Sequence, residues 1–347
     1  MSGPSHPERT VDVLASRGRR EWGRFADRPR VARPADEFAG PRRAFQDWRT
    51  KEWAGFTLMH PEVYGSMIVQ QAKYLASSEL YLCDAETPDA PQEHSGSTSP
   101  GRLRLPADLL HGGEVRFADP ERGYRLEYGF DEAAGHHTVF FEIAESERAA
   151  AVSGELVLRT AGASGQLAVS TPLARGAAMF TYKRAFPAAG AVRIGEREHA
   201  FDPARDLAIL DEHRTHLPYR TSWIWGTFAS IASGGAVVGA NLCERDQIGP
   251  DDESCLWLDG AAEPLGGVVF TATSNDPLAP WAVASADGRV ELMFTPAGRK
   301  GVDQNFVLAA IDYTQLYGTY AGLLRGANGP VPVEGVHGVV ELMRMRA

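Results

Sequence analysis

The sequence predicts an all-β protein of two β-barrel or sandwich domains in tandem, with few helices, and three observations carry that expectation. From Trp48 onward the chain runs in short segments rich in aromatic and β-branched residues, broken by Gly, Pro, Asn or Asp at intervals of roughly ten residues. Within segments such as Arg125-Leu126-Glu127-Tyr128, apolar and polar side chains alternate, as in a strand with one wet face. The 347 residues also divide into two blocks of about 150, each with roughly seven or eight short strands, the size of a small closed barrel or sandwich. One long twisted sandwich is the alternative, and ordinary domain size favours two units.

Residues 1–40 are rich in Arg, Asp, Glu and Pro without hydrophobic period, which predicts a tail or strap whose Trp22 and Phe25 dock on the body. Residues 41–190 are expected to form the first barrel domain and 191–347 the second, with the join at 187–195, where Pro, Ala and Gly cluster. Strands are expected over 56–60, 123–130, 138–143, 155–159 and 166–170. Residues 67–84 read as two strands with a turn near Ala76-Ser77-Ser78, although Ile68, Ala72 and Leu75 also fit a helix. Residues 85–101 carry almost no large apolar side chain and read as an exposed loop. In the second block, strands are expected over 236–242, 255–258, 267–273, 281–285, 290–294 and 305–312. Asp259-Gly260 and Asp287-Gly288 read as hairpin turns, since Gly supplies the positive φ of a type I′ turn. Segments 317–324 and 335–343 form a closing hairpin across Asn328-Gly329-Pro330, and the best helix candidate is 203–210, with Asp202 as N-cap.

Composition narrows the partners. With 45 Asp plus Glu against 35 Lys plus Arg, the net charge is -10 and the pI about 5.5, which disfavours nucleic acid and anionic lipid. No run approaches the ~18 apolar residues of a membrane-spanning helix, so no membrane insertion is expected. Arg17, Arg19 and Arg20 resemble the start of a twin-arginine export signal, but Glu21, Arg24, Asp27, Arg28 and Arg30 stand where an apolar segment belongs, and a cytoplasmic location is expected. Cys83, Cys243 and Cys255 lack C-x-x-C spacing and read as buried free thiols. Exposed strand edges leave a homodimer open.

The densest polar cluster is 210–226, LDEHRTHLPYRTSWIWG, holding Asp211, Glu212, His213, Arg214, His216, Tyr219, Arg220, Trp223 and Trp225. A general acid needs a carboxyl or imidazole moved toward neutrality by an apolar surround, and two Trp and a Tyr supply one. Both Trp of W-x-W face the same side of a strand, lining either core or cavity. The competing reading is structural: Asp211 pairs with Arg214 or Arg220 to brace a loop while the Trp residues pack in a barrel wall. His213 and His216 sit three apart, which a strand sends to opposite faces, so no metal site is expected. Asn241 and Glu244 lie on the apolar segment 238–244, where an unbonded polar group is costly, and Gln315 and Tyr317 continue a late polar series with Asn305 and Asp312. No G-x-G-x-x-G before a helix, Walker loop or G-x-S-x-G is present, so no nucleotide cofactor is expected.

The combination of Trp53, Phe56, His60-Pro61 and Tyr64 with DEHR…PYRTSWIWG, GANL at 239–242, WLDG at 257–260 and QLYGTYAG at 315–322 resembles the bacterial family DUF2804, from about residue 40 to the end. More remotely, the layout resembles the two-lipocalin-domain proteins, among them hydroxyneurosporene synthase, the AttH-like proteins and fungal lipocalin-like Diels-Alderases. That resemblance implies paired lipocalin-like barrels, a ligand cavity at or near their interface, and cofactor-free chemistry on an apolar small molecule. It carries no catalytic residue over.

The function expected is a cofactor-independent enzyme of hydro-lyase or cyclase type, acting on a lipophilic small molecule by acid/base-assisted hydration, dehydration or cyclisation in a β-barrel cavity. Asp211, Glu212 or His213 would supply the acid, Trp223 and Trp225 would stack against developing positive charge, and Arg214, His216, Tyr219, Arg220, Asn241, Glu244, Gln315 and Tyr317 would line or orient the substrate. The alternatives are a lipocalin-like carrier without turnover and a carbohydrate-active enzyme, the latter needing Asp211 across a groove from Glu244 or Asp312.

Overall fold

Strand pairing sorts the chain into two large antiparallel sheets, with burial alternating along strands such as 111–119, 124–131, 136–143 and 152–159, and the change of sheet falls at 217–219. The computed structural model describes residues 9–245, 252–305 and 310–346. An N-terminal strap carries β1 (Ala15–Ser16), β2 (Arg19–Arg20) and β3 (Gly23–Phe25), followed by the helix α1 (Gly40–Arg49). The first sheet contains β4 (Lys51–His60), β5 (Val63–Gln71), β6 (Ala76–Asp84), β7 (Gln92–Thr98), β8 (His111–Asp119), β9 (Tyr124–Asp131), β10 (His136–Ile143), β11 (Val152–Arg159), β12 (Leu167–Pro172), β13 (Ala178–Ile194), β14 (Arg197–Phe201) and β15 (Leu207–His216). Its order is β7-β6-β5-β4-β15-β13-β11-β10-β9-β8, with β12 and β14 paired to β13 and β3 paired to β12. The second sheet contains β16 (Arg220–Ile231), β17 (Val237–Glu244), β18 (Cys255–Leu258), β19 (Ala261–Pro264), β20 (Val268–Ala272), β21 (Trp281–Ser285), β22 (Val290–Asn305), β23 (Ala310–Gly326) and β24 (Gly329–Arg346), in the order β19-β18-β17-β16-β24-β23-β22-β21-β20.

Each sheet curls into a near-closed barrel. Asp119 at the end of β8 accepts from the Ser97 N–H of β7 at 3.4 Å, and Glu244 at the end of β17 accepts from the Phe270 N–H of β20 at 2.7 Å. Side chains fill both interiors: Phe56, Tyr128, Phe130, Phe141 and Phe186 belong to the first core, and Phe228, Phe294, Leu316 and Tyr320 to the second. Two further apolar clusters join the barrels through their outer faces. One holds Ile209, Val169, Val237 and Trp257, the other Tyr64, Tyr81, Trp225 and Tyr317. At Gly165 a Cβ would lie 2.4 Å from the Ala261 carbonyl carbon of the other barrel, so only glycine allows this approach.

The all-β, two-barrel expectation holds, while several boundaries move. The expected join at 187–195 lies within β13 and the following turn, because β14 and β15 pair with β13 and keep 197–216 in the first sheet. The helix candidate at 203–210 is a turn leading into β15, with Leu207, Ile209 and Leu210 buried. The helix instead is α1, started by Pro41 at its first turn and left without buried residues, Phe45 and Trp48 being exposed. The turn between β5 and β6 falls at 72–75, where Lys73 has φ 73°, four residues before the expected one. The expected loop at 85–101 contains β7, an edge strand of polar and small residues that buries His94 and Gly96 on alternate positions. Asp259-Gly260 has positive φ at both residues, the type I′ geometry, whereas at 287–288 only Gly288 does. Residues 306–309 of the expected strand 305–312 lie outside the described residues. All three cysteines are buried.

The strap is docked. Phe25 is fully buried, Trp22 stays 39% exposed, and β3 pairs with β12. Below it, the Arg28 guanidinium donates to both Glu212 carboxylate oxygens at 2.6 and 2.7 Å and to the Ala107 carbonyl at 3.0 Å. Arg214 reaches Glu212 at 2.9 Å and Glu52 at 2.6 Å, and Lys73 pairs with Glu52. Five charges thus alternate in sign across one end of the first barrel, four of them buried. Removing one partner of a buried pair strands the other charge, at a cost of about 3–5 kcal/mol. Arg28→Ala is therefore expected to lower the unfolding free energy measured in urea by that order; a loss below about 1 kcal/mol would place Arg28 among ordinary surface ion pairs.

Candidate active site

Strand period decides which ionisable residues between 211 and 216 share a face. The even positions of β15 continue Ala208 and Leu210 of the first core, so Glu212, Arg214 and His216 point toward the strap. The odd positions, Asp211 and His213, point outward into a cleft lined by both barrels, part of a connected cavity of about 1950 Å³ that also reaches Tyr124, Ile143 and Arg148 of the first barrel. The outer faces of β4–β6, β13 and β15 form one wall and those of β16 and β22–β24 the other.

At the centre, His213 Nε2 meets Asp211 Oδ1 at 2.8 Å and its Nδ1 meets Thr181 Oγ1 at 3.1 Å. Trp53 stacks on the imidazole with centroids 4.5 Å apart. Lys183, one strand over on β13, places its ammonium 3.3 Å from Asp211 Oδ2, 3.1 Å from Glu253 Oε2 and 4.2 Å from the centre of the Trp225 ring. Arg245 also pairs with Glu253. The Trp225 indole donates to Asn241 Oδ1 at 2.8 Å, and Asn241 donates to the Glu253 carbonyl at 2.8 Å, so one amide fixes both the aromatic wall and the loop that carries Glu253. Across the cleft, the Trp223 indole donates to Glu341 Oε1 at 2.8 Å, and the Tyr313 phenol also hydrogen-bonds that carboxyl.

These surroundings separate the two carboxyls. Burial favours the protonated form of Asp211, but His213 and Lys183 overcome it and hold the group at about 2. Burial pushes the Glu341 carboxyl up despite the Trp223 donor, with the Asp211 charge adding to the rise. Burial lowers both His213 and Lys183, with Asp211 opposing in each case. The cleft therefore holds an ionised carboxylate, an imidazole biased to the neutral form, and a carboxyl biased to the protonated form. Opposed pairs of this kind define acid and base assignments.

The residues expected from sequence divide. Asp211, His213, Arg220, Trp223, Trp225 and Gln315 line the cleft. Glu212 does not: Arg28 and Arg214 enclose it, and burial is outweighed by those two cations, which keep it ionised. Arg214 belongs to the same chain of charges, and His216, lowered to about 4 by burial and by Arg20, is held by Thr50 Oγ1 at 2.7 Å and the Gln46 carbonyl at 3.0 Å. Tyr219 is exposed on the linker between the sheets. Glu244 is used in closing the second barrel, and Tyr317 donates to the Pro88 carbonyl at 2.7 Å in the contact between barrels. Neither Glu244 nor Asp312 lines the cleft, which removes the carboxylate pairs the carbohydrate reading needed. Lys183, Glu253, Tyr313 and Glu341 were not anticipated; the available signal was a charged residue at mid-strand among apolar neighbours, as in 178–186, AMFTYKRAF.

Cys243, Asp252 and Glu253 bring possible ligand atoms within 4.8 Å of one another. Protein cations already occupy this group, Arg245 and Lys183 on the Glu253 carboxylate, and burial pushes the Cys243 thiol up to about 12 and Asp252 above its usual range. A protonated thiol beside two cations does not suit a metal ion.

The Asp211 value has a stability consequence. A carboxyl at about 2 in the folded chain and about 3.9 unfolded stabilises the fold above pH 4, and that contribution fades as pH falls toward 2. The stability difference between the wild type and Asp211→Asn in urea is expected to shrink from pH 5 to pH 3; an unchanged difference would contradict the placement of Asp211 between Lys183 and His213.

Comparison with known proteins agrees with this architecture. None of the curated proteins matches the chain. Among solved structures, CghA with Sch210972 superposes with a TM-score of 0.50 at 13% identity, covering 98% of this chain and 97% of that one, and CghA alone with 0.49 at the same identity and coverage. Kievitone hydratase from Nectria haematococca gives 0.45 at 9% identity, covering 99% and 98%. At the level of sequence, the family model described as Domain of unknown function (DUF2804) matches residues 20–346, both barrels and most of the strap, and the chain belongs to that family.

Proposed function

We propose that the protein is a cofactor-independent enzyme that hydrates, dehydrates or cyclises a lipophilic small molecule in the cleft between its barrels. The observation that carries this reading is the pairing of an Asp211-oriented His213 with a Glu341 carboxyl pushed toward its protonated form on the facing wall. The solved neighbour CghA with Sch210972 supports a ligand site in this fold.

In the hydration direction, Glu341 gives its proton to the substrate double bond, and His213 takes a proton from the water that adds to the resulting cation. Dehydration reverses both transfers. In a cyclisation the same groups would remove a proton from one end of the substrate and return one to the other. The imidazolium formed in turnover lies between the Trp53 face and the Asp211 carboxylate, which stabilise its charge. Trp53, Trp223 and Met343 supply apolar wall, so the substrate is desolvated next to these groups. Lys183 already covers one face of Trp225, so Trp225 is assigned to holding Lys183 rather than to a substrate cation.

The test is incubation of small-molecule extracts from the native cells with wild type, His213→Asn and Glu341→Gln. Wild type is expected to consume a lipophile and form a product differing by one water, or isomeric with it, while each variant loses about a hundredfold or more of that rate. Binding without turnover by wild type would make the protein a carrier. For kcat/KM, a bell-shaped pH profile is expected, with the acidic limb lost in His213→Asn and the basic limb lost in Glu341→Gln; variants that keep both limbs would overturn the assignments.

A further inference from the structure

The cleft holds a second polar cluster that the proposed acid/base chemistry does not use. Tyr81 on β6 lines the cleft with 1% of its surface exposed, and its phenolic oxygen has no hydrogen-bond partner among the described residues. Glu79 lies two residues before it on the same face and pairs with Lys300 of β22, whose ammonium sits 5.9 Å from the Tyr81 ring centre. Glu93 of β7 stands directly opposite Tyr81 in the strand pairing. Burial and Glu79 together push the Glu93 carboxyl up against the pull of Lys300, and burial raises the Tyr81 phenol far enough to keep it protonated.

An orphaned buried hydroxyl costs about 1–3 kcal/mol, and a cleft that retains one is shaped for a ligand atom that satisfies it. The surrounding charges select the partner. Glu79 and Lys300 neutralise each other and Glu93 is pushed toward its neutral form, so neither a ligand carboxylate nor a ligand ammonium finds an unpaired counter-charge there. A hydrocarbon end leaves the phenol unpaired. A neutral hydroxyl both donates and accepts, and meets Tyr81 and the Glu79 or Glu93 carboxyl together.

We propose that the cleft binds lipophiles bearing a hydroxyl group, which Tyr81 recognises with Glu79 and Glu93. This deepens the reading of the cleft as a substrate site and rests on it. The ligand then has an apolar body against Trp53, Trp223 and Met343 and a hydroxyl at the Tyr81 cluster, which fixes the end it presents to Glu341 and His213.

Calorimetric titration of the full chain with 4-phenylphenol, biphenyl and biphenyl-4-carboxylate tests the proposal without requiring turnover. The wild type is expected to bind 4-phenylphenol about tenfold more tightly than biphenyl and the carboxylate least. In Tyr81→Phe the phenol should fall to the affinity of biphenyl, with biphenyl itself unchanged. Because the Tyr81 oxygen has no partner among the described residues, that variant should unfold at a urea midpoint no lower than wild type. Equal binding of phenol and biphenyl, a preference for the carboxylate, or an undiminished preference in Tyr81→Phe would overturn the hydroxyl site and leave the cleft as a lipophile site standing. Failure of all three probes to bind would overturn the cleft reading and the hydroxyl site with it.

Discussion

Everything at the site depends on the register of one strand. β15 lies between β4 and β13, and its two faces carry opposed duties: Glu212 and Arg214 are tied into the charge chain from the strap, while Asp211 and His213 face the cleft. A slip of one residue would bury His213 against Arg28 and aim Glu212 at Lys183. The bidentate Arg28–Glu212 contact is thus a register pin as well as an ion pair. The strap also reaches across to the second barrel, where Arg24 donates to the Asp252 and Ser254 carbonyls at 2.6 and 2.8 Å and so holds the loop that presents Glu253 to Lys183. One N-terminal segment therefore braces the site from both barrels.

The second constraint is that both barrel interiors are packed with side chains, which leaves the space between barrels for a ligand. Apolar contacts at Ile209, Val237 and Trp257, and at Tyr64, Tyr81 and Tyr317, join the barrels and hold the two walls of the cleft in place. Such an arrangement suits chemistry without a covalent intermediate. Preorganised dipoles and charges need no rearrangement during proton transfer, and they act more strongly where water is excluded.

The barrel pair was legible in the sequence because strand alternation and turn residues are local signals. W-x-W could be assigned to one face, and Trp223 and Trp225 do share the cleft wall. The same period applied to DEHR separates Glu212 from Asp211 and His213, and treating all three as acid candidates overlooked it. Glu244 looked like a ligand group because a charge on an apolar strand is costly, yet its partner is a backbone N–H on β20. Lys183 and Glu341 escaped notice because their neighbours at the site are distant in sequence: Glu341 is 130 residues from Asp211, and only the packing of one barrel on the other brings them within electrostatic reach. α1 was hidden for a different reason, since its exposed Phe45 and Trp48 form no stripe facing the core.

The measurement that bears most directly on the central claim is the location of a bound lipophile. Protein isolated from its native cells with its ligand retained, crystallised and solved, should show the ligand between the two barrels, in contact with His213 on one wall and Glu341 on the other. Ligand density inside the lumen of either barrel, with the cleft filled by water alone, would contradict the account.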